Sequence, residues 1–448
     1  MKFISTRNKN AKPVDFGEAV LRGLAPDGGL YHPAEEPDLR ALIRSFGSES
    51  SFVDVAGAMI QALFPQQYDA KAARTLALKA FPFEPRLSRL QPGVVILELF
   101  HGPSCAFKDF GASFLAAVME EQLVQRKARA VILTATSGDT GSAVAHAFHG
   151  RDNIDVVILY PSGRVSPLQE QQLTTLGGNV TALEVQGSFD DCQRMVKEAF
   201  VDPELQKTLQ LTSANSINVG RLIPQSFYYL WAFSQLKEQL QDELVFCVPS
   251  GNFGNLTAGV LAWRWGMPVS DFIAATNAND VIPEYLKTGV YSPRPSIATP
   301  ANAMDVGNPS NFERLQSIFS EGALDISSVV SGVVVDDETI YRTMKSVYTD
   351  TGEFICPHTA TGVYAARRRL AAEPGADVTI VTLATAHPGK FVEVCRHAVG
   401  HEPEIPERLA RLLALEKRSI LVDNTLNGLR AVLMERFGGK IPEVPWAQ

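Results

Sequence analysis

The sequence is short of the features that would mark several large classes of protein. Its 448 residues include only five cysteines, at positions 105, 192, 247, 356 and 395, with no C-x-x-C pair among them. A scattered, odd-numbered set excludes a disulfide framework and a cysteine zinc site, and suits reduced thiols. No H-E-x-x-H and no pair of carboxylates at metal or glycosidase spacing occurs, so no metal is expected. There is no long Lys/Arg run, and 41 basic against 49 acidic residues leave a net charge of -8, which argues against a nucleic-acid surface. No apolar run approaches the roughly 20 residues that span a bilayer. Residues 1–16 lack the apolar centre of a signal peptide. The expectation is a cytoplasmic protein with neither membrane nor nucleic acid as partner. Internal repeats and low-complexity tracts are also missing.

What is present is an ordinary globular composition, 45% apolar and 20% charged, in a chain too long for one comfortable core. Residues 19–31 read as a short helix ending in a Pro-Asp-Gly-Gly turn, and helical patterns follow over 39–46, 52–63 and 70–81. Prolines at 82, 85 and 92 then punctuate the chain. From residue 94 the rhythm becomes strand, turn, helix. Strands are predicted over 94–99, 130–136, 156–160, 180–185, 244–248, 272–276 and 378–383, and helices over 112–118, 142–148, 166–176 and 189–200. Ser188 and Asp191 have capping-box spacing before the last of these. Such alternation implies parallel sheets covered by helices. Residues 279–311, rich in Pro, Asn and Ser, read as a long ordered loop or insertion.

The stretch F-H-G-P-S-C-A-F-K-D-F-G, 100–111, sets Lys108 between Phe107 and Phe110 after a Gly102-Pro103 turn. An amine among aromatics at a strand-to-helix junction can lose water and become a nucleophile. The plainer alternative is a surface lysine whose stem packs on its neighbours. Cys105 could be a nucleophile but lacks an activating partner, and reads as a packed small residue.

Three further clusters stand out, the first two at strand ends. Gly251-Asn252-Phe253-Gly254-Asn255 follows a strand and opens a helix, which makes either an anion cradle or a glycine-rich turn. It has neither the Lys-Ser/Thr ending of a P-loop nor G-x-G-x-x-G spacing. Ser137-Gly138-Asp139-Thr140-Gly141 repeats the arrangement with hydroxyls added, which suits a carboxylate. Asn215, Ser216, Asn218 and Arg221 concentrate donors that suit a phosphate, or else form a helix cap with a surface arginine. His358 and His387 are open between site and turn roles, and Thr385 between site and cap. A lysine, a phosphate cradle and a hydroxyl beyond another strand are together what pyridoxal phosphate (PLP) requires.

The ordered motifs L-R-G-L-A-P-D-G-G-L-Y, F-H-G-P-S-C-A-F-K-D-F-G, T-A-T-S-G-D-T-G, Y-P-S-G-R-V-S-P-L-Q-E, N-S-I-N-V-G-R, V-P-S-G-N-F-G-N and T-A-H-P-G-K-F cover nearly the whole chain. In them it resembles the threonine synthase family, PLP enzymes of the tryptophan-synthase β-like (fold type II) group. The departures at Ser104-Cys105 and Gly389 keep residues of similar size. The resemblance implies two doubly wound parallel-sheet domains with the cofactor at their interface, plus a small N-terminal segment. The expected segments are 1–92, mostly helical, 93–215, a smaller α/β domain with the lysine, and 216–448, a larger one with the phosphate loop, into which the N-terminal segment can pack. It further implies that Lys108 anchors PLP covalently. Gly251, Asn252, Phe253, Gly254 and Asn255 hold its phosphate, and Thr385 meets its ring nitrogen. Ser137, Gly138, Asp139, Thr140 and Gly141 are implied at the substrate carboxylate and the cofactor face, and Ser216, Asn218 and Arg221 at the substrate phosphate. The implied reaction takes O-phospho-L-homoserine and water to L-threonine and phosphate, in a monomer or weak homodimer. The alternatives are another enzyme of the same fold, such as a threonine dehydratase or cysteine synthase, and a catalytically silent homologue.

Overall fold

A computed structural model describes residues 1–136, 138–240, 242–320 and 324–439. Its strands, in chain order, are β1 (Phe3–Ser5), β2 (Tyr31–Pro33), β3 (Arg86–Gln91), β4 (Val94–Glu98), β5 (Ala130–Ala135), β6 (Ile154–Pro161), β7 (Val180–Gln186), β8 (Leu211–Thr212), β9 (Glu243–Pro249), β10 (Asp271–Thr276), β11 (Val330–Val334), β12 (Val378–Ala384) and β13 (Ser419–Asp423). The chain forms two compact units, each assembled from separated stretches. The first comprises Met1–Ala34, Lys108–Arg221 and Pro406–Gln448, and the second Glu35–Phe107 and Leu222–Ile405. No helix among the described residues is long and apolar enough to cross a membrane.

The first unit is built on a five-stranded parallel sheet in the order β13-β7-β6-β5-β8. Strands β5, β6 and β7 advance in one direction, and β8 then returns to the far side of β5. This reversal creates a switch point between β5 and β8, where loops at the carboxyl ends diverge and leave a crevice. Val131, Leu133, Leu183 and Val185 of the sheet pack on Cys192, Met195, Leu429 and Leu433 of the helices Phe189–Val201 and Leu426–Phe437. The N-terminal residues brace the long helix Lys108–Arg126. Phe16 lies 5.7 Å from Phe3 and 6.2 Å from Phe114, ring to ring.

The second unit carries a six-stranded sheet in the order β11-β10-β9-β12-β4-β3, parallel except for the β3–β4 hairpin. Here β9, β10 and β11 advance one way and β12 enters on the other side of β9, so its switch point lies between β9 and β12. Val94, Val245, Cys247, Ile273 and Ile380 form the core with Val347 and Val363. Residues 52–80 form the helices Phe52–Leu63 and Ala70–Ala80 beside Gln225–Leu236. The ring of Phe81 meets Phe52 at 5.0 Å and Phe227 at 6.4 Å.

These units differ from the three consecutive segments expected from sequence. Residues 1–34 join the lysine helix, while 35–92 join the other sheet. The 92/93 boundary falls inside the β3–β4 hairpin, where Gly93 turns the chain at φ 76°. The 215/216 boundary falls inside the first unit, which runs on to Arg221. Within 279–311 the structure contains the helix Val281–Thr288, ended by Gly289 at φ 72°. The rest is irregular but tied down. Asp305 accepts from Thr299 N, Thr299 Oγ1 and Asn277 Nδ2 at 3.1, 2.7 and 2.8 Å.

Candidate active site

At the switch point of the second unit, the loop after β9 closes on itself. Ser250 Oγ and the Leu256 N–H both donate to Asn255 Oδ1, at 2.7 and 3.0 Å, and Asn255 Nδ2 donates to the Pro249 carbonyl at 2.9 Å. The Asn255 carboxamide is thus spent on shaping the loop, and what it offers a ligand is its backbone N–H. Phe253 takes a left-handed φ of 63° as N-cap of the helix Gly254–Arg264 and supplies no side-chain cap. The N–H groups of Gly254 and Asn255 meet no acceptor among the described residues. An eleven-residue helix with an open N-terminus favours a phosphate. A Cβ on Gly251 would stand 2.6 Å from Met304 Cα, so glycine is required there by close backbone approach. Asn252 is fixed from outside, its Oδ1 accepting from Ser310 N at 2.5 Å and its carbonyl from Asn311 N at 3.3 Å.

Thr385 follows β12, the other strand of that switch point. The register that pairs Thr382 with Cys247 brings Thr385 level with Ser250 when carried three residues further. Its side chain is buried and its hydroxyl makes no hydrogen bond with the described residues. Its carbonyl accepts from Phe107 N at 2.8 Å, Ala106 bridges Ala386, and His387 N donates to the Cys105 carbonyl at 3.1 Å. Lys390, itself buried, donates to the Ser104 carbonyl at 2.7 Å. Residues 104–107 are therefore zipped to 385–390 immediately before Lys108. Cys105 is fully buried at φ 56°, the packed residue of the two readings given above. His387 caps its own turn by accepting from Gly389 N at 3.0 Å. His358 Nε2 accepts from Ala303 N at 3.1 Å, a strut for the loop beneath Gly251.

Lys108 opens the nineteen-residue helix of the first unit. It is half-buried, as is Phe107, while Phe110 is fully buried. Arg221 packs on the first turn of this helix, close enough that a Cβ on Gly111 would lie 2.9 Å from its Nε. Its Nη1 donates to the Ala214 carbonyl at 2.7 Å. Burial pushes its guanidinium down to about 10, against the pull of Asp109. It remains a cation at neutral pH, held inside the protein.

At the β5/β8 switch point the 138–141 loop hangs on Thr136. The Thr136 hydroxyl accepts from Gly138 N at 3.0 Å and Gly141 N at 2.9 Å. Gly138, at φ 151°, precedes the helix Asp139–Phe148. Asp139 is buried in its first turn, and Thr140 is half-buried with its N–H and hydroxyl clear of any acceptor among the described residues. Ser137 lies outside the described residues. Ser216 is half-buried in the turn that follows β8. Asn218 is a correction to the expected phosphate contact. Its Nδ2 donates to the carbonyls of Val20 and Ser213 at 2.8 and 3.0 Å, and its Oδ1 accepts from Gly220 N at 2.9 Å. Fully buried and satisfied, it is a strut and presents nothing to a ligand.

Sequence reasoning passed over Thr136 and Gln169, whose Nε2 donates to Asp139 Oδ1 at 3.2 Å. Thr136 was visible as a hydroxyl in front of S-G-D-T-G, and Gln169 as the last residue of an S-x-x-Q capping pattern.

The chain is similar to known proteins over nearly its whole length. Residues 83–386 match the model of the pyridoxal-phosphate dependent enzyme family, residues 2–81 that of the threonine synthase N terminus and residues 359–433 that of the threonine synthase C-terminal region. Threonine synthase from Haemophilus influenzae is 41% identical over 423 residues, which are 94% of this chain and 97% of that protein. The crystal structure of threonine synthase from Escherichia coli superposes with a TM-score of 0.89 at 39% identity, covering 97% of this chain and 100% of that one. The PLP-bound threonine synthase from Brucella melitensis also gives 0.89, at 36% identity, with 98% and 99% covered.

Proposed function

The chain belongs to the threonine synthase family of pyridoxal-phosphate enzymes, and from that premise we propose that it converts O-phospho-L-homoserine and water to L-threonine and phosphate, with Lys108 at the centre of the chemistry. It is a PLP-dependent lyase. The open N–H groups of Gly254 and Asn255, with Gly251 and Phe253 shaping the turn, suit the cofactor phosphate, and the Thr385 hydroxyl suits its ring nitrogen. PLP, when bound, supplies the electron sink that makes an α proton removable.

The chain's own groups do the rest. The Lys108 amine is the covalent anchor. Once freed, it would take protons from Cα and from Cβ as phosphate leaves Cγ, returning one to Cγ before water adds at Cβ and one to Cα at the close. Thr140 offers an N–H and a hydroxyl at a helix start to the substrate carboxylate. Asp139, in the same turn, is buried beside it. Arg221 is a buried cation and Ser216 a half-buried hydroxyl for the substrate phosphate. The reading takes the enzyme as a cytoplasmic monomer or weak homodimer, an assembly state that sedimentation velocity would read.

The observation that carries the reading is that the cofactor region and both threonine-synthase regions are matched in one chain, over residues 2–433. The test is phosphate release from O-phospho-L-homoserine, alongside the visible absorption of the bound cofactor. Wild-type protein should be yellow and active, and Lys108→Ala should lose the lysine-bound absorption and at least about a thousandfold of activity. Activity on serine or threonine with none on the phosphorylated substrate would sink the assignment.

A further inference from the structure

The motif Y-P-S-G-R-V-S-P-L-Q-E at 160–170 has no task in the chemistry above, yet it ends in the helix Pro167–Thr174, whose Gln169 and Leu173 lie against residues 138–141. From this geometry we infer that Gln169 is a positioning residue for the substrate: its carboxamide fixes Asp139 and the backbone at Gly138. The inference rests on the reading of that loop as the substrate-carboxylate site.

Three observations carry it. Ser166 Oγ donates to Gln169 Oε1 at 3.1 Å and accepts from Gln169 N at 3.3 Å, so the amide oxygen is engaged and the amino group is turned the other way. That amino group donates to Asp139 Oδ1 at 3.2 Å. Gln169 is 4% exposed and Asp139 5%, so water does not stand in for either partner. Finally, a Cβ on Gly138 would come within 2.5 Å of Gln169 Nε2, so the side chain also bounds the backbone of the loop. A capping role accounts for the Ser166 contacts. It does not account for the buried amino group aimed at a carboxylate.

The helix that carries Gln169 is clamped in place. Its next residue, Glu170, takes Lys417 Nζ at 2.6 Å, and Lys417 reaches Glu184 of β7 at 2.7 Å. Leu173 of the same helix fills the space where a Cβ on Gly141 would lie, 2.8 Å from Leu173 Cδ2. A helix held in this way, with only the Gln169 side chain left its own torsions, suits a substrate-orienting loop, because small misplacements cost large factors in rate.

The holoenzyme offers the test. Gln169→Met keeps the length and removes the donor, and Gln169→Glu keeps the shape but sets a second carboxylate against Asp139. Both are expected to lower kcat/KM for O-phospho-L-homoserine by roughly tenfold or more, as for loss of a buried bond to a charged group. Both are also expected to weaken substrate binding in an absorbance titration, with cofactor content unchanged. Joining Gln169→Glu to Asp139→Asn restores a donor–acceptor pair with the roles exchanged, and should recover about threefold or more of the binding lost in Gln169→Glu. A lowered Tm with wild-type kinetics in the folded fraction would mark a structural glutamine and overturn the inference, as would absence of recovery in the double variant. A wild-type protein without cofactor absorption or phosphate release would instead overturn the parent reading.

Discussion

At the β9/β12 switch point the loop is gripped by backbone and by side chains that turn inward: Gly251 lies against Met304 Cα, and Asn255 spends its carboxamide on Ser250, Leu256 and Pro249. At the β5/β8 switch point the corresponding loop hangs on one hydroxyl, Thr136, and leans on the end of one side chain, Gln169. The first arrangement can hardly move without moving main chain. The second can adjust by a rotamer. A cofactor that stays bound through many turnovers calls for the first, and a substrate that enters and leaves calls for the second. On the proposed reading, then, the same topology, a parallel sheet whose strand order reverses, is finished in two ways according to what each crevice holds.

The largest expected effect separates the two loops directly. Gly251→Ala drives a Cβ into the Met304 backbone, and overpacking of this kind costs about 1–3 kcal/mol, so cofactor affinity should fall roughly tenfold to a hundredfold. Thr136→Val leaves the buried N–H groups of Gly138 and Gly141 without their acceptor, at a cost of about 1–3 kcal/mol. It should reduce kcat/KM by about tenfold while cofactor content stays at the wild-type level. Equilibrium dialysis of the cofactor and steady-state kinetics on both variants decide the matter. Equal loss of cofactor in the two would abolish the distinction between a rigid and an adjustable loop.

A middle-sized effect tests which residues near the substrate loop are struts. Asn218→Ala removes three buried hydrogen bonds and should destabilise the protein by about 2 kcal/mol. Thermal melts should show the loss, while KM in the folded fraction stays within about twofold. A large rise in KM with an unchanged melt would return Asn218 to the substrate.

How much of this was legible in the sequence follows from how local each feature is. The capping box of Ser188 and Asp191 is present as spaced, and Ser166 caps its helix, because caps are decided within four residues. The motif loops stand at strand ends for the same reason. The helix Gln225–Leu236 escaped, since nearly every residue in it is buried and no polar stripe marks its period. The helix Val281–Thr288 was hidden by the Pro- and Asn-rich residues after it. Neither switch point could be read, because each depends on a strand returning to an earlier neighbour, as β12 does to β9. Asn218 failed for an equivalent reason: the carbonyl that occupies it belongs to Val20, 198 residues away.

The smallest expected effect concerns the support beneath the rigid loop. Asp305 sits beside Met304 and accepts from Asn277, Asn279 and Thr299, yet burial pushes its carboxyl up to about 6, with Asp337 adding to the rise. A carboxyl raised in the folded state above its ordinary value near 3.8 favours folding in its protonated form. That stabilisation is complete below about pH 4 and is lost as pH climbs through about 6. Asp305→Asn has no proton to lose there. The Tm of wild-type protein should therefore decline relative to the variant between pH 4 and pH 7, by a degree or so given the partial exposure of the site. A difference that stays constant or widens in favour of the wild type would show that the four donors, and not burial, govern Asp305. The loop under Gly251 would then be held by a permanent carboxylate, and the rigid half of the comparison would be more firmly charged than its geometry suggests.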